Sequence, residues 1–336
     1  MLKIERVISN KGNGKIEKEI ISYDVAEDSE ELNFTRHRII KVTQFENVPK
    51  LKKLTLRWNL YKKIDHFQCL EQLTYLNLND NQIENIEKLE TLVNLEYLDL
   101  SYNRISKIEG LETLVKLKEL HLVHNKIIVI EGLETLENLE YLELGDNRIR
   151  AISGLDTLTK LEHLFLGANQ IRQIEGLEYQ KNLLELSLPG NAITEIQNLG
   201  KLRKLRSIGL AQNGISKIDG FENLTNLNSV DLNDNLIENI ENTAQLNNLT
   251  TLWIRKNKIN DWKEIENLRD LSKLTSLTLE MNPIYSNDNE YRTKVTKSLP
   301  QLKLLDGFPC SWVQGDPYQA LPDEFYEVFE HSTSIK

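Results

Sequence analysis

A 22-residue repeat runs through most of this chain and limits the folds that are open to it. The pattern L-x-x-L-x-L-x-x-N-x-I-x-x-I-x-x-L-x-x-L-x-x begins at Leu51, Leu73, Leu95, Leu117, Leu139, Leu161, Leu183, Leu205, Leu227, Leu249 and Leu274. A degenerate copy precedes them, with apolar residues from Leu32 to Val48 and His37 in place of the asparagine. A unit this short cannot bury its own apolar stripe, so the units must stack on one another.

Each repeat has two halves with different apolar spacings. The first half, as in Leu95 to Leu100, alternates with period two and predicts a short strand. The second half, as in Ile105, Ile108 and Leu111, has an apolar residue at every third position, which favours 3₁₀-like turns. We therefore predict a leucine-rich-repeat solenoid of the α/β repeat class. About twelve repeats would form a curved parallel sheet on the concave face and 3₁₀ or short helical turns on the convex face.

One asparagine recurs in every regular repeat, at the bend between the two halves. These residues are Asn59, Asn81, Asn103, Asn125, Asn147, Asn169, Asn191, Asn213, Asn235, Asn257 and Asn282. A side-chain amide both donates and accepts, so it can pair backbone groups that the bend leaves inside the stack. A buried group without a partner costs about 1–3 kcal/mol. We therefore assign these asparagines a structural role and no role in ligand binding.

The repeats divide the chain into four segments. Residues 1–28 are expected to form a partly mobile N-terminal cover, and residues 29–273 hold the repeats. Residues 274–308 would form the last repeat and a C-terminal cap, with a helix starting at Asn287 to Glu290 and an Asp-Gly turn after it. Residues 309–336 form a tail whose aromatic side chains either pack onto the cap or form a short docking helix.

Composition narrows the class of partner. The chain is 40% hydrophobic and has a net charge of −10, without a clustered basic patch of the kind that binds nucleic acid. It has no apolar run suited to a membrane span and no secretory signal in its charged first residues. The two cysteines, Cys69 and Cys310, have no metal-ligand spacing. We expect a protein of the nucleus and cytoplasm that binds neither nucleic acid nor membrane.

No catalytic or cofactor motif occurs at its expected spacing, so we predict that the chain is not an enzyme and holds no cofactor. The best group of metal-ligating residues is His121, His124 and His163. Strands lie about 4.8 Å apart, which places His163 about 10 Å from His121, two coils away. That separation is too great for one metal ion, so we predict no metal site.

The third and fifth residues of each repeat should point out of the concave face, free of any packing role. The third residues include Tyr75, Tyr97 and Tyr141, and the fifth residues mix acids with rings. The fifth-position acids and rings are Asp99, His121, Glu143, Phe165, Asp231 and Trp253. Large aromatic residues dominate interface energetics, which favours protein binding. The alternative for Tyr75 and Tyr97 is that the rings only cover one another.

Several stretches resemble the family of regulatory subunit 7 of protein phosphatase 1, over roughly residues 29–308. They are Leu144 to Ile152, Leu164 to Asn169, the lengthened repeat around Trp253, Asn282-Pro283, Tyr291-Arg292 and Leu299-Pro300. The resemblance implies that the concave face binds the catalytic subunit of a type 1 serine/threonine phosphatase and controls its activity, maturation or targeting. It also implies assembly with a small phosphatase inhibitor.

In that family the contacts lie at fifth positions, as acids alternating with aromatics. Asp99, Glu143, Phe165, Asp231 and Trp253 match the pattern. Departures occur at His121, Thr251 and Thr278, where the resemblance leads us to expect an aromatic, an acid and an aromatic. Two alternatives use the same coil: a generic scaffold of the cytoskeleton or cilium, and a protein-binding component of a ribonucleoprotein particle.

Overall fold

The structure is a computed structural model that describes residues 1–10 and 16–311. The contacts within the chain divide it into two compact units, which are Met1 to Ala192 and Ile193 onward. The division falls within the repeats. Most of the predicted C-terminal tail, from residue 312, lies outside the described residues.

The first unit opens with a β-hairpin that the repeat pattern does not predict. Strand β1 (Leu2–Asn10) pairs antiparallel with β2 (Ile16–Tyr23) and with β4 (Ile39–Thr43), which makes a three-stranded sheet in the order β2-β1-β4. Leu2 and Ile4 are buried, because β1 packs its apolar side chains against the first coil. Strands β1 and β2, which lie in the segment expected to cover the N-terminal end of the repeats, therefore belong to a sheet that also includes β4.

The repeats of the first unit contribute one three-residue strand each to a parallel sheet. The strands are β3 (Glu31–Asn33), β5 (Lys53–Thr55), β6 (Tyr75–Asn77), β7 (Tyr97–Asp99), β8 (Glu119–His121), β9 (Tyr141–Glu143), β10 (His163–Phe165) and β11 (Glu185–Ser187). Neighbours pair in register, so that Leu98 lies opposite Leu120. The central residue of every strand is buried. The predicted leucine-rich-repeat solenoid with its parallel sheet is confirmed.

The second unit continues the repeat and ends in the cap. Its strands are β12 (Ser207–Gly209), β13 (Ser229–Asp231), β14 (Thr251–Trp253), β15 (Ser276–Thr278), β16 (Leu304–Leu305) and β17 (Phe308–Pro309). Strands β12 to β16 pair parallel, and β17 turns back antiparallel on β16. Its helices are α1 (Lys263–Glu266), α2 (Pro283–Ser286) and α3 (Tyr291–Ser298). No helix in the described ranges is long and apolar enough to cross a membrane.

The cap helix α3 begins later than predicted. Asn287 ends α2 instead of starting α3, and the Asp288 side chain accepts a hydrogen bond from the Glu290 N–H at 2.8 Å. The predicted capping-box start is therefore wrong. Asp306 follows β16 and accepts the N–H groups of Leu279 and Glu280. These two bonds pair backbone donors of the preceding coil within the segment predicted to form the C-terminal cap.

The second half of each repeat is built from tight turns. The N–H groups of Leu92 and Leu95 donate to the carbonyls three residues earlier, at Leu89 and Leu92, and the same pattern recurs in the other coils. Hydrogen bonds of this span are the 3₁₀ type. Only Phe45–Asn47 extends into a 3₁₀ helix within the described part of the chain. The predicted 3₁₀-like turns are confirmed, mostly as single turns.

The recurring asparagines form a hydrogen-bonded ladder, as predicted. The Oδ1 atom of Asn103 accepts the N–H of Ile83 at 2.9 Å, and its Nδ2 atom donates to the carbonyls of Leu78 and Leu100, each at 3.0 Å. The ladder runs from Asn59 to Asn191 in the first unit and from Asn213 to Asn282 in the second. Each amide joins its own coil to the preceding one.

Glycines of the convex turns occupy a left-handed backbone conformation. Gly132 has a φ of +69°, and a Cβ atom there would lie 2.5 Å from the carbonyl oxygen of Ile108 in the preceding coil. Real Cβ atoms do not approach backbone so closely, and side chains disfavour this conformation. The glycine therefore permits adjacent coils to approach closely.

Candidate functional site

The third and fifth residues of the repeats form a surface that we call the strand face of each unit. On the first unit, five of these side chains form a continuous row of rings, the aromatic ladder. Their centroids are 4.3 Å apart for Tyr75 and Tyr97, 5.1 Å for Tyr97 and His121, 4.8 Å for His121 and Tyr141, and 5.1 Å for Tyr141 and Phe165. Tyr75 and Tyr97 stack nearly flat, at 8°. The two tyrosines therefore do cover one another, and all five rings remain half-exposed.

Carboxylates surround the middle of the aromatic ladder. Glu143 Oε2 lies 3.0 Å from Nδ1 of His121, and Glu119 Oε2 lies 3.7 Å from Nε2. Burial lowers the His121 pKa, but the Glu143 hydrogen bond and the charges of Asp99, Glu143 and Glu119 outweigh it, so that the pKa lies above 6.5. His121 is therefore held by acids on both sides within an otherwise negative surface.

Replacing Glu143 with glutamine should lower the His121 pKa, because it removes the closest negative charge from the imidazole. The measurement is a ¹H–¹⁵N NMR titration of the His121 ring. Protonated His121 stabilises the folded state below about pH 6.5, and that contribution is lost as pH rises through the folded-state pKa. Glu112→Gln, an exposed change on a turn, should leave the titration unchanged. An unaltered pKa in Glu143→Gln would contradict the assignment.

Asp99 does not project freely from the strand face as predicted. It is only 7% exposed, its Oδ1 accepts the N–H of Ser101 at 2.9 Å, and its Oδ2 accepts the amide of Asn77 at 3.1 Å. Asn77 itself accepts the N–H of Asn79 in the same way. A short polar side chain can pair the N–H two residues later, which gives the fifth position a structural role. The expectation that Asp99 is free of packing duty is wrong.

The second unit repeats this arrangement beside an exposed tryptophan. Asp231 is half-buried and accepts the N–H of Asn233 at 2.9 Å, and burial raises its pKa despite that bond. Trp253 lies on the next strand, in register with Asp231 and Thr278, and is 37% exposed. No ring in the described residues stacks on it. Thr251 and Thr278 beside it are half-buried.

The structure brings the predicted site residues together within each unit. Glu143, Phe165 and the aromatic ladder lie on adjacent strands of the first unit, and Asp231 and Trp253 on adjacent strands of the second. Glu119 and Glu185 were not selected from the sequence, although both third-position acids contact histidines of this face. Their signals differ: Glu185 lies opposite His163 on the neighbouring strand, whereas Glu119 lies two residues before His121 on the same strand.

The three histidines considered for metal binding have separate partners. His121 pairs with Glu143, His124 with Asp146 and His163 with Glu185. His124 also stacks on Tyr102, with centroids 4.8 Å apart. Within residues 1–10 and 16–311 there is no group of three or more such residues placed to hold a metal ion.

Comparisons with known proteins find leucine-rich repeats along the chain. The model described as "Leucine rich repeat" matches residues 31–83. The model "Leucine Rich repeats (2 copies)" matches 71–113, 93–137, 115–157 and 137–179, and a further "Leucine-rich repeat" model matches 179–310. The comparison with curated proteins gives no significant match.

Solved structures with the same architecture include several bacterial proteins. An internalin of Listeria monocytogenes is 24% identical, with a TM-score of 0.68 over 86% of this chain and 89% of that chain, and it shows the fold alone. A leucine-rich-repeat protein of Leptospira interrogans is 26% identical, with a TM-score of 0.63 over 77% and 73%. Internalin C2 of Listeria monocytogenes is 31% identical, with a TM-score of 0.54 over 57% and 84%.

Proposed function

We propose that this chain, which belongs to the leucine-rich-repeat family, is a non-catalytic regulatory subunit of a type 1 serine/threonine phosphatase. Leucine-rich-repeat proteins generally serve as scaffolds for protein interaction, and the family models that match this chain indicate no catalytic family. In this proposal the strand face binds the catalytic subunit and controls its activity, maturation or targeting in the nucleus and cytoplasm. A small phosphatase inhibitor joins the complex as a third component.

The exposed indole of Trp253 is the observation that carries the proposal. Trp253 is 37% exposed to solvent although it lies on a regular strand. A polar side chain at this position would serve the fold equally well. Tryptophan is among the residues that contribute most to protein interfaces when a partner desolvates them. Asp231 on the neighbouring strand supplies an acid beside it. This pair matches the acid and aromatic pattern of the phosphatase regulators.

The first unit supports the same function through its aromatic ladder. Phe165 ends the ladder on strand β10, and Glu143 stands beside it on strand β9. The rings hold one another in place, so that binding a partner costs little side-chain entropy. The acids around them favour a partner with a basic surface, which also speeds association. Asp99 would contribute mainly by fixing the strand end beneath Tyr97.

Calorimetry with the purified catalytic subunit of a type 1 phosphatase tests the proposal. The wild-type chain should bind tightly, and Trp253→Ala should weaken binding by about thirtyfold, or about 2 kcal/mol, as truncation of a central aromatic does. Tyr179→Ala is the matched control, because it removes an exposed ring from a turn outside the strand face. The control should change the dissociation constant by less than about twofold.

The possible outcomes test the identity of the partner and the location of the binding surface separately. Absence of wild-type binding would overturn the phosphatase assignment and leave the scaffold of cytoskeleton, cilium or ribonucleoprotein particle as the function. Tight binding that is equally strong in Trp253→Ala would retain the partner and move the site away from this strand face. Phe165→Ala then tests the first unit alone, with an expected loss of about tenfold.

A further inference from the structure

A row of exposed cations lies along one edge of the first unit. They occupy the first or third residue after a ladder asparagine, and they are Arg104, Lys126, Arg148, Arg150 and Arg172. We call this row the basic edge. Throughout the described ranges, 1–10 and 16–311, no carboxylate forms an ion pair with any of the five. On a chain of net charge −10, this is a local positive surface that its own acids leave unneutralised.

The basic edge is a regular row because the backbone aligns its members. The N–H groups of Arg104, Lys126 and Arg148 each donate at 2.8 Å to a carbonyl of the preceding coil. Leu60 and Gln82 occupy the same position in the two earlier coils and make the same bond. Leu60 and Gln170 hold this position five coils apart. Because neighbouring coils are about 4.8 Å apart, the distance between these two residues along the edge is about 24 Å.

An apolar pocket adjoins the amino-terminal end of this row. It has a volume of about 390 Å³, and its lining includes the aliphatic residues Val7, Ile40 and Leu60 and the cations Lys18, Arg38 and Lys62. Lys18 pairs with Glu5 at 3.1 Å, whereas Arg38 and Lys62 pair with no acid among the described residues. The pocket can take a large apolar side chain whose neighbours along a peptide are acidic.

A polar depression lies at the opposite end of the row. It has a volume of about 640 Å³, and its lining includes Arg150, Gln170 and Arg172. The Nε of Arg150 donates to Oε1 of Gln170 at 3.3 Å. This bond leaves the amide N–H groups of Gln170 and the terminal nitrogens of both guanidiniums to donate to an incoming carboxylate.

We propose that the basic edge, with the pocket and the depression at its ends, binds an extended acidic segment of another protein. An apolar side chain of that segment would enter the pocket, and its carboxylates would meet the five cations. An extended peptide rises about 3.3 Å per residue, so about seven residues cover the distance of about 24 Å from Leu60 at the pocket to the coil of Gln170 at the depression. This site uses none of the strand-face residues and is independent of the proposed phosphatase binding.

A short acidic peptide fits this surface better than a nucleic acid does. Acids flank the cations along the chain: Asp146 precedes Arg148 by two residues, and Glu109 and Glu131 follow Arg104 and Lys126 by five residues. A longer polyanion would run beyond the cations and meet these acids. The aliphatic pocket also offers nothing to a phosphate backbone, whereas it buries a peptide side chain.

Fluorescence anisotropy with labelled peptides of about seven residues tests the inference. The probes carry one phenylalanine at either end of a run of glutamates, and matched probes have serine in its place. At a salt concentration of about 0.15 M, at least one phenylalanine probe should bind tenfold or more tightly than its serine counterpart. The triple variant Arg104→Glu, Lys126→Glu and Arg148→Glu should weaken binding by about tenfold or more.

A second triple variant controls for net charge. Lys50→Glu, Lys116→Glu and Lys181→Glu change the same total charge on exposed turns elsewhere on the unit, and binding should fall by less than about threefold. Equal losses in the two triple variants, no saturable binding, or equal affinity for the phenylalanine and serine probes would each overturn the inference. So would tighter binding of a single-stranded oligonucleotide of equal charge. Thermal unfolding verifies that both variants fold.

Discussion

Replacing Asn147 with alanine should lower the free energy of unfolding by about 3 to 4 kcal/mol, because several buried backbone groups lose their partner at once. Its Oδ1 accepts the N–H of Ile127, and its Nδ2 donates to the carbonyls of Leu122 and Leu144. These groups lie inside the stack, where water does not replace the lost partner. Urea unfolding followed by circular dichroism measures the loss.

Asn138→Ala is the matched control for this effect. Asn138 also donates to a carbonyl of the preceding coil, that of Val115 at 2.7 Å, but it does so at the exposed surface. Water can pair the carbonyl when the amide is removed, so the expected loss is below about 1 kcal/mol. If the two variants lost equal stability, burial of the ladder would not be the source of its contribution.

Gly132→Ala should cost about 2 to 3 kcal/mol, the second large effect on stability. Alanine would have to adopt the left-handed backbone, and its Cβ would meet the Ile108 carbonyl at 2.5 Å unless the coils moved apart. Gly145→Ala is the control, since the nearest atom to its Cβ would be 3.5 Å away, in ordinary contact. Urea unfolding of both variants gives the comparison. Equal stability of the two variants would contradict the steric argument.

The repeat allowed much of the fold to be predicted because its interactions are local and periodic. The apolar spacing around Leu98 and Ile105 defined both the strand and the turn, and the recurrence of Asn103 predicted the ladder. The hairpin of β1 and β2 escaped prediction because β1 also pairs with β4, a contact that depends on no repeated motif. The start of the cap helix was misplaced, since Asp288 takes the turn role expected of Asn287.

The strand face was predicted less completely than the fold. Alternation assigned Trp253 and Phe165 to it, and both are at least partly exposed, while cross-strand proximity was a sufficient reason for Tyr75 to stack on Tyr97. The alternation of side chains along a strand predicts only the face to which each one points. It does not reveal that the short side chain of Asp99 accepts the N–H of Ser101. An Asp or Asn two residues before a polar residue is the signal that identifies this turn.

The direction of the asparagine ladder has a consequence for synthesis on the ribosome. Ile83 belongs to one coil, but its N–H is paired by Asn103, which is translated 20 residues later. During synthesis, the most recently translated coil therefore has backbone N–H groups without their partner. They are paired only after the asparagine of the next coil has been translated. Asp306 ends this dependence on the next coil. Its carboxylate accepts the N–H groups of Leu279 and Glu280, and no further coil is needed to pair them.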